Sequence, residues 1–296
     1  MRGAAGRDGL LRGARGRDGQ ALGRGRVLAM EDDLRRRLTA RFGTSDLGAV
    51  DRAARRPGPI SVPVRIHVLT SGRDGAVSEA VLRRQVGALN AAYGGRDGGH
   101  ATGVRFRLVS TDRTNRPQWF HEPERLERQF KRALRRGGAG TLNLYTASVG
   151  SDVLGFSTFP QAYRKKPVLD GVVVDYRTLP GGSFRHFAAG KTAVHETGHW
   201  LGLYHTFENG CEQPGDEVGD TPFEAEPSEG CPVAKDTCPQ PGGDPVHNFM
   251  DYGWDECMHE FTAGQGRRVR AVWAAYRERA GGPDRGHGAR SVGGAR

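Results

Sequence analysis

Two histidines with a glutamate between them, His195-Glu196-Thr197-Gly198-His199, read as H-E-x-x-H. On a helix this spacing sets both imidazoles on one face, one turn apart, with the carboxylate beside them, and both rings can reach one zinc ion at about 2.0 to 2.1 Å. A third histidine, His205, follows with Gly202 three positions before it. Glycine takes positive φ without penalty, so the chain can leave the helix at Gly202 and swing His205 back toward the metal. Three neutral nitrogen ligands leave one coordination position open for water, as catalytic rather than structural zinc requires. The expected chemistry is hydrolysis of a peptide bond: zinc lowers the pKa of its bound water toward ~7 and polarises the carbonyl, while Glu196 carries the water proton to the leaving amine. A second electrophile must meet the developing oxyanion, and a tyrosine hydroxyl is a natural donor. The five fixed positions of H-E-x-x-H-x-x-G-x-x-H arise by chance in about one of ten thousand such chains, which outweighs the alternative of histidines merely satisfied in a core.

The elements that must position these groups follow from periodicity. Thr192 is the expected N-cap of the histidine helix, and Leu201 and Leu203 supply apolar contacts beyond it. Val62, Val64, Ile66 and Val68 alternate as a half-buried strand, whereas Leu82, Val86, Leu89 and Tyr93 recur at helical spacing until Gly94 and Gly95. Val104, Phe106 and Leu108 alternate again. A second helix is expected from about Pro123 to Arg136, capped by Gly137 and Gly138. Short strands near Leu142 to Tyr145 and Gly171 to Asp175 bracket Leu154-Gly155-Phe156-Ser157-Thr158, a candidate edge strand. Beyond His205 the pattern dissolves into Gly, Pro and acidic residues until Val269, Val272, Trp273 and Tyr276 mark a last amphipathic helix. The layout is an α/β half followed by an irregular half.

The net charge of +10 resides at the ends: residues 1–58 carry +7, residues 277–296 carry +3, and residues 59–276 are neutral. Within that neutral stretch, residues 192–266 hold 15 acids against Lys235 alone, a surplus that calls for cations such as bound metal ions. All four cysteines lie between Cys211 and Cys257, an even number in a loop-rich region, which favours two disulfides and an oxidising, extracellular setting over thiols or a second zinc site. No window reaches the ~18 apolar residues of a membrane span. Residues 1–29 lack the apolar segment of a signal peptide, which conflicts with secretion unless the true start lies elsewhere. The expected organisation is a disordered segment or propeptide over 1–58 containing a short charged helix at 31–42, a catalytic domain over 59–280 divided near 205/206, and a flexible tail over 281–296.

At this point the chain resembles the pappalysin (cytophagalysin) family of metzincins. The carriers are the zinc motif, Asn248-Phe249-Met250-Asp251-Tyr252, Gly210-Cys211, Gly215-Asp216, Asp220-Thr221-Pro222, Cys257, and Phe261-Thr262 with Gln265. Leu142-Asn143-Leu144-Tyr145 and Leu179-Pro180-Gly181-Gly182-Ser183 also fit, so the resemblance spans roughly residues 60–276. It implies a mixed twisted sheet with an active-site helix above a smaller C-terminal subdomain. By the same likeness Met250 is the methionine of the turn beneath the zinc, and Tyr252 is the oxyanion-stabilising tyrosine. Disulfides Cys211–Cys238 and Cys231–Cys257 are implied, as is structural calcium near Asp216, the Val218 carbonyl, Asp220 and Thr221. Glu256, just ahead of the last cysteine, would favour a basic residue after the scissile bond, and Gly155, Phe156 and Ser157 match the strand on which an extended substrate is laid. No cysteine precedes Cys211, so the propeptide cysteine latch of some relatives is absent, or a carboxylate such as Asp32 or Asp46 replaces it.

The competing readings are a noncatalytic zinc or polyanion-binding protein using its Arg-rich ends, a catalytically dead relative, and a zinc amidase acting on a small substrate. The ends lack interleaved aromatics, so specific nucleic-acid binding is not expected. The expected partner is a peptide or protein substrate, and no feature of the sequence specifies an oligomeric state.

Overall fold

The computed structural model describes residues 22–54, 58–150 and 153–278 of the chain. In chain order the main elements are α1 (Arg24–Phe42), α2 (Leu47–Ala53), β1 (Ile60–Thr70), α3 (Glu79–Tyr93), β2 (Val104–Asn115), α4 (Pro117–His121), α5 (Pro123–Leu134), β3 (Leu142–Ala147), β4 (Gly155–Ser157), β5 (Val172–Asp175), α6 (Lys191–Trp200) and α7 (Ala263–Val272). The strands form one sheet in the order β2-β1-β3-β5-β4, parallel except for β4, which runs antiparallel to β5 along the edge.

Alternation along the strands sorts the side chains into two layers. Val62, Val64, Ile66, Leu142, Leu144, Val172 and Val174 pack with α3 and α6 through Leu82, Val86, Leu89, Tyr93 and Val194. Tyr145, Ala147 and Val173 face the other way, onto Phe120 and Phe130 of α4 and α5. Both faces are therefore covered, which is why the central strands are buried along their length.

Two expectations about elements are corrected. The helix beginning at Pro123 stops at Leu134, and Arg135 takes extended backbone (φ −57°, ψ 134°). The Asn143 amide then captures the chain, accepting from Arg136 N at 2.9 Å and donating to Arg136 O at 3.0 Å. Gly137, at φ +83°, serves the turn into β3 instead of a helix cap, because a Cβ there would lie 2.4 Å from Thr141 Oγ1. Nor are residues 24–53 disordered: they form α1 and α2, because Leu34, Leu38 and Val50 find apolar partners in Ala271 and Val272 of α7. Of the ends expected to be disordered or flexible, residues 1–21 and 281–296 lie outside the described residues.

After α6 the chain runs in turns joined by two disulfides, Cys211–Cys238 and Cys231–Cys257. It becomes regular again at α7, which opens on a capping box between Thr262 and Gln265. Among the described residues no helix is long and apolar enough to cross a membrane.

Candidate active site

α6 begins at Gly190, at φ +84°, and not at Thr192, which lies inside its first turn. The capping role falls to a residue distant in sequence: Asp255 Oδ2 accepts from Ala189 N at 2.8 Å and from Lys191 N at 3.4 Å. A carboxylate is favoured at this positive end of the helix dipole, although burial pushes the Asp255 carboxyl up to about 6 against the lowering effect of those N–H donors. Tyr93 donates to Val194 O at 3.0 Å, tying α6 to α3. The helix ends where Gly202, at φ +94°, allows Leu203 N to reach Gly198 O (2.9 Å) and Gly202 N to reach His199 O (2.9 Å). These two bonds make a Schellman turn, and it returns the chain so that His205 faces the helix.

The three imidazoles converge. His199 Nε2 lies 3.2 Å from His195 Nε2 and 3.1 Å from His205 Nε2. His195, His199 and His205 are the only group of three or more His, Cys, Asp or Glu among the described residues close enough to hold one metal ion, and all three are buried. Their other nitrogens explain the orientation. His195 Nδ1 lies 2.7 Å from Phe249 O and His199 Nδ1 lies 2.8 Å from Leu203 O, so each Nδ1–H donates to a carbonyl and each Nε2 lone pair points to the common centre. Phe207 stacks on His205 at 4.7 Å and Phe159 leans on His199 at 5.1 Å, walling the cluster with apolar rings. The donor set and its carbonyl supports fit a zinc ion with three protein ligands.

Glu196 is buried and lies against the edge strand, where a Cβ on Gly155 would stand 3.0 Å from Glu196 Cγ and 2.8 Å from Val173 O. Gly155 and Ser157 pair with Val174 and Val172 and share the face that α6 covers. Phe156 faces the opposite layer, 5.8 Å from Lys131 Nζ, so of the three expected strand residues its side chain is turned away from the histidines. Beneath the helix, Met250 sits so close to Gly198 that a Cβ there would lie 2.3 Å from Met250 Sδ. Asn248 holds that turn, accepting from Met250 N at 3.0 Å and donating to Gln265 Oε1 at 2.9 Å. The Tyr252 hydroxyl is 3.3 Å from His205 Nε2, next to the metal-binding centre. Glu256, the expected recognition acid, is largely exposed and 3.2 Å from His186 Nδ1, and His186 stacks flat on Trp254 at 3.6 Å.

The two acids of the calcium expectation both accept hydrogen bonds from backbone N–H groups. Asp216 is buried, accepts from Val218 N at 3.0 Å, and is pushed well above the usual carboxylate range by that burial. Asp220 accepts from Thr262 Oγ1 at 2.8 Å and from Gly264 N at 2.7 Å, at the start of α7. The cation that the acidic stretch does contain is Lys235, whose ammonium meets Glu224 at 2.7 Å and Asp244 at 3.0 Å. Glu224 in turn accepts from Thr206 Oγ1 at 2.6 Å, directly after His205.

Several positioning residues carry little or no signal readable in the sequence: Asp255 under the helix start, Gly198 over Met250, Phe159 and Phe207 against the rings, and Glu224 with Lys235. Of these, Lys235 had a hint, as the single base in a long acidic stretch. The carboxylates considered as latches stand elsewhere, Asp46 capping α2 through Ala49 N at 2.7 Å and Asp32 facing Arg35 at 3.5 Å.

Residues 155–274 match the family Peptidase_M43, described as Pregnancy-associated plasma protein-A. The chain is 42% identical over 230 residues to an extracellular metalloprotease of Pyricularia oryzae, covering 76% of this chain and 78% of that protein. It is 39% identical over 224 residues to an extracellular metalloprotease of Arthroderma benhamiae, covering 74% of each. Among solved structures it resembles mature mirolysin of Tannerella forsythia in complex with a cleaved peptide, with TM-score 0.66, 28% identity, and coverage of 74% of this chain and 93% of that one.

Proposed function

The chain belongs to the Peptidase_M43 (pappalysin) family and is a zinc metalloendopeptidase, and from that premise we propose which residues do the work and how. His195, His199 and His205 hold the zinc. The observation that carries this reading is the convergence of their ring nitrogens with Nδ1 of His195 and of His199 anchored on backbone carbonyls. Zinc bound there would supply Lewis acidity for hydrolysis of the peptide bond. Glu196 takes the proton from the attacking water and delivers it to the leaving amine. Its burial beside β4 supports this role, because a substrate added as a strand along that edge would bring its peptide bond past the carboxylate. Tyr252 donates its hydroxyl to the developing oxyanion, and Met250 supports the helix floor.

Specificity and setting belong to the same proposal. Glu256 accepts a basic side chain after the scissile bond, and His186 is its resident partner in the free enzyme. The catalytic unit spans residues 59–280, with the sheet and α6 in an upper part (59–205) and the disulfide-joined turns and α7 in a lower part (206–280). Calcium binds at Asp216, the Val218 carbonyl, Asp220 and Thr221, the burial of the Asp216 carboxyl among them being the support. The protein is secreted, a reading supported by its two disulfides and by relatives named as extracellular metalloproteases.

The test is digestion of a mixed peptide library by protein recovered from the culture medium of expressing cells. Wild type should cut in a chelator-sensitive manner with Arg or Lys enriched after the cut. Glu196→Ala should lose at least about a hundredfold in kcat while still binding zinc. Cutting by a folded Glu196→Ala protein at the wild-type rate would refute the assignment of the base, a flat profile would refute the role of Glu256, and failure to appear in the medium would remove the secretion reading.

A further inference from the structure

The helix α1 carries an anomaly in its buried stripe. Val27, Met30, Leu34 and Leu38 recur at helical spacing and are buried, as an amphipathic helix should show, but Glu31 stands among them at 3% exposure. A carboxylate in such a place needs a charged, hydrogen-bonded partner. Arg268 of α7, at 1% exposure, supplies it: its Nη1 lies 3.2 Å from Glu31 Oε2 and its Nη2 donates to Oε1. The Tyr204 hydroxyl donates to the same carboxylate at 2.9 Å, and the guanidinium lies 4.8 Å from the centre of the Tyr204 ring.

What this group holds is the turn between the second and third histidines. Arg268 Nε donates to Gly202 O at 2.9 Å, at the residue whose positive φ turns the chain back. Leu203 O receives His199 Nδ1, and Tyr204 precedes His205. Val27 and Met30 complete the arrangement by packing with Phe159 and Tyr204, and the Phe159 ring rests on His199. Thus α1 reaches the metal-binding rings from behind by two routes, one polar through Arg268 and Gly202, the other apolar through Phe159.

We propose that α1 is a permanent part of the catalytic unit and that Glu31 is a positioning residue for the zinc ligands, acting through Arg268 and Tyr204 on the turn that presents His205. This rests on the reading of His195, His199 and His205 as zinc ligands. It adds α1 to the catalytic unit proposed over residues 59–280, in place of the view of the N-terminal helices as a removable segment. The polar contacts of α1 with the rest of the molecule include Glu212, Glu217, Arg268, Tyr204, Tyr276, Ala274 and Glu278, on the side formed by α7 and the turns after His205. α2 adds to the clamp, its Asp51 carboxylate meeting Arg270 Nη2 at 2.6 Å. Removing α1 would strip an apolar stripe from α7 and take from Arg268 the carboxylate that accepts its hydrogen bonds.

The experiment compares the full-length chain with Glu31→Ala, Glu31→Gln and the apolar pair Glu31→Met with Arg268→Met. Zinc affinity is measured by competition with a chromophoric chelator, folding by near-ultraviolet circular dichroism, and kcat and KM on a peptide substrate. Glu31→Ala should weaken zinc binding at least tenfold, the scale of a lost outer support of a metal ligand, and lower kcat more than KM. Glu31→Gln, which can still accept from Tyr204, should fall in between. The Met pair removes the buried charges together and keeps the volume, so it should fold while still binding zinc weakly, which separates positioning from stability. Zinc affinity within twofold of wild type in the folded Met pair would overturn the proposal, as would the same result in folded Glu31→Ala. If wild type itself binds no more zinc than His205→Ala, the ligand assignment fails instead.

Discussion

Gly155 and Gly198 are the two positions at which one added methyl group would reach the reacting centre. At Gly155 the methyl would press on the Glu196 side chain and on the Val173 carbonyl of the neighbouring strand. Backbone cannot yield as a flexible side chain can, so Gly155→Ala should displace Glu196 or push the edge strand outward. The expected result is a fall in kcat of about tenfold to a hundredfold, since an error near 1 Å in a reacting group costs on that order. Zinc affinity should be unchanged, because no metal-binding nitrogen is touched. Activity equal to wild type would show that Glu196 operates from a position other than the one seen. At Gly198 the contact is with Met250 Sδ, the reason the methionine can lie directly under the helix. H-E-x-x-H leaves this position open, and only the approach of the turn makes glycine necessary there.

Among the elements, the turns after His205 depend on a buried polar group where a core of apolar residues would ordinarily stand. Glu224 is buried, close to Asp251, and its carboxyl is pushed up to about 7 by that burial and by the neighbouring negative charge, against the pull of Lys235 and Thr206. An acid raised in the folded state holds its proton where the unfolded chain, with an ordinary value of 4.5, has released it. The folded form therefore binds more protons between about pH 4.5 and 7, and stability from this group is present below that window and lost as pH rises through it. In zinc-saturated protein, the unfolding free energy of wild type relative to Glu224→Gln should fall with rising pH by at most about 1 kcal/mol per unit across this range. A pH-independent difference between the two, measured by urea denaturation, would mean that Lys235 keeps Glu224 ionised throughout. The same lysine sits between Glu224 and Asp244, while Arg24, Arg35 and Arg267 from outside residues 192–266 pair with Glu212, Glu217 and Asp220.

For the whole molecule, the lower half has few regular elements and is held by two disulfides, by α7, and by whatever cations its acids attract. With calcium proposed at Asp216, removal of calcium by a selective chelator should lower the melting temperature of the zinc-loaded enzyme, and Asp216→Asn should abolish that response. An enzyme that melts at the same temperature with and without calcium would leave Asp216 as a protonated buried acid, a state its raised carboxyl would also allow. The two N-terminal helices belong to this scale as well, for they cover Ala271 and Val272 of α7 and bring Glu31 to Arg268.

The parts of this protein written in the sequence are those that depend on local spacing. Period-two and helical patterns located the strands and helices of the upper half, because each element there buries one face and repeats its apolar residues accordingly. The five positions of the zinc motif announced the chemistry because a helix converts a four-residue spacing into a shared face, and Gly202 announced the turn because only glycine adopts its φ freely. Tertiary structure decided what spacing cannot encode. Asp255 caps α6 across 64 residues from Lys191, Asn143 ends the approach to β3 before the glycines can cap a helix, and Asp220 reaches the start of α7 from the turns after His205. Residues 1–29 offer too little to bury to be read as folded, and residues 31–42 are expected only as a short charged helix. The apolar stripe of α1 and its one buried acid acquire a purpose only when α7 presents Val272 and Arg268 to them, a surface that exists only in the assembled molecule.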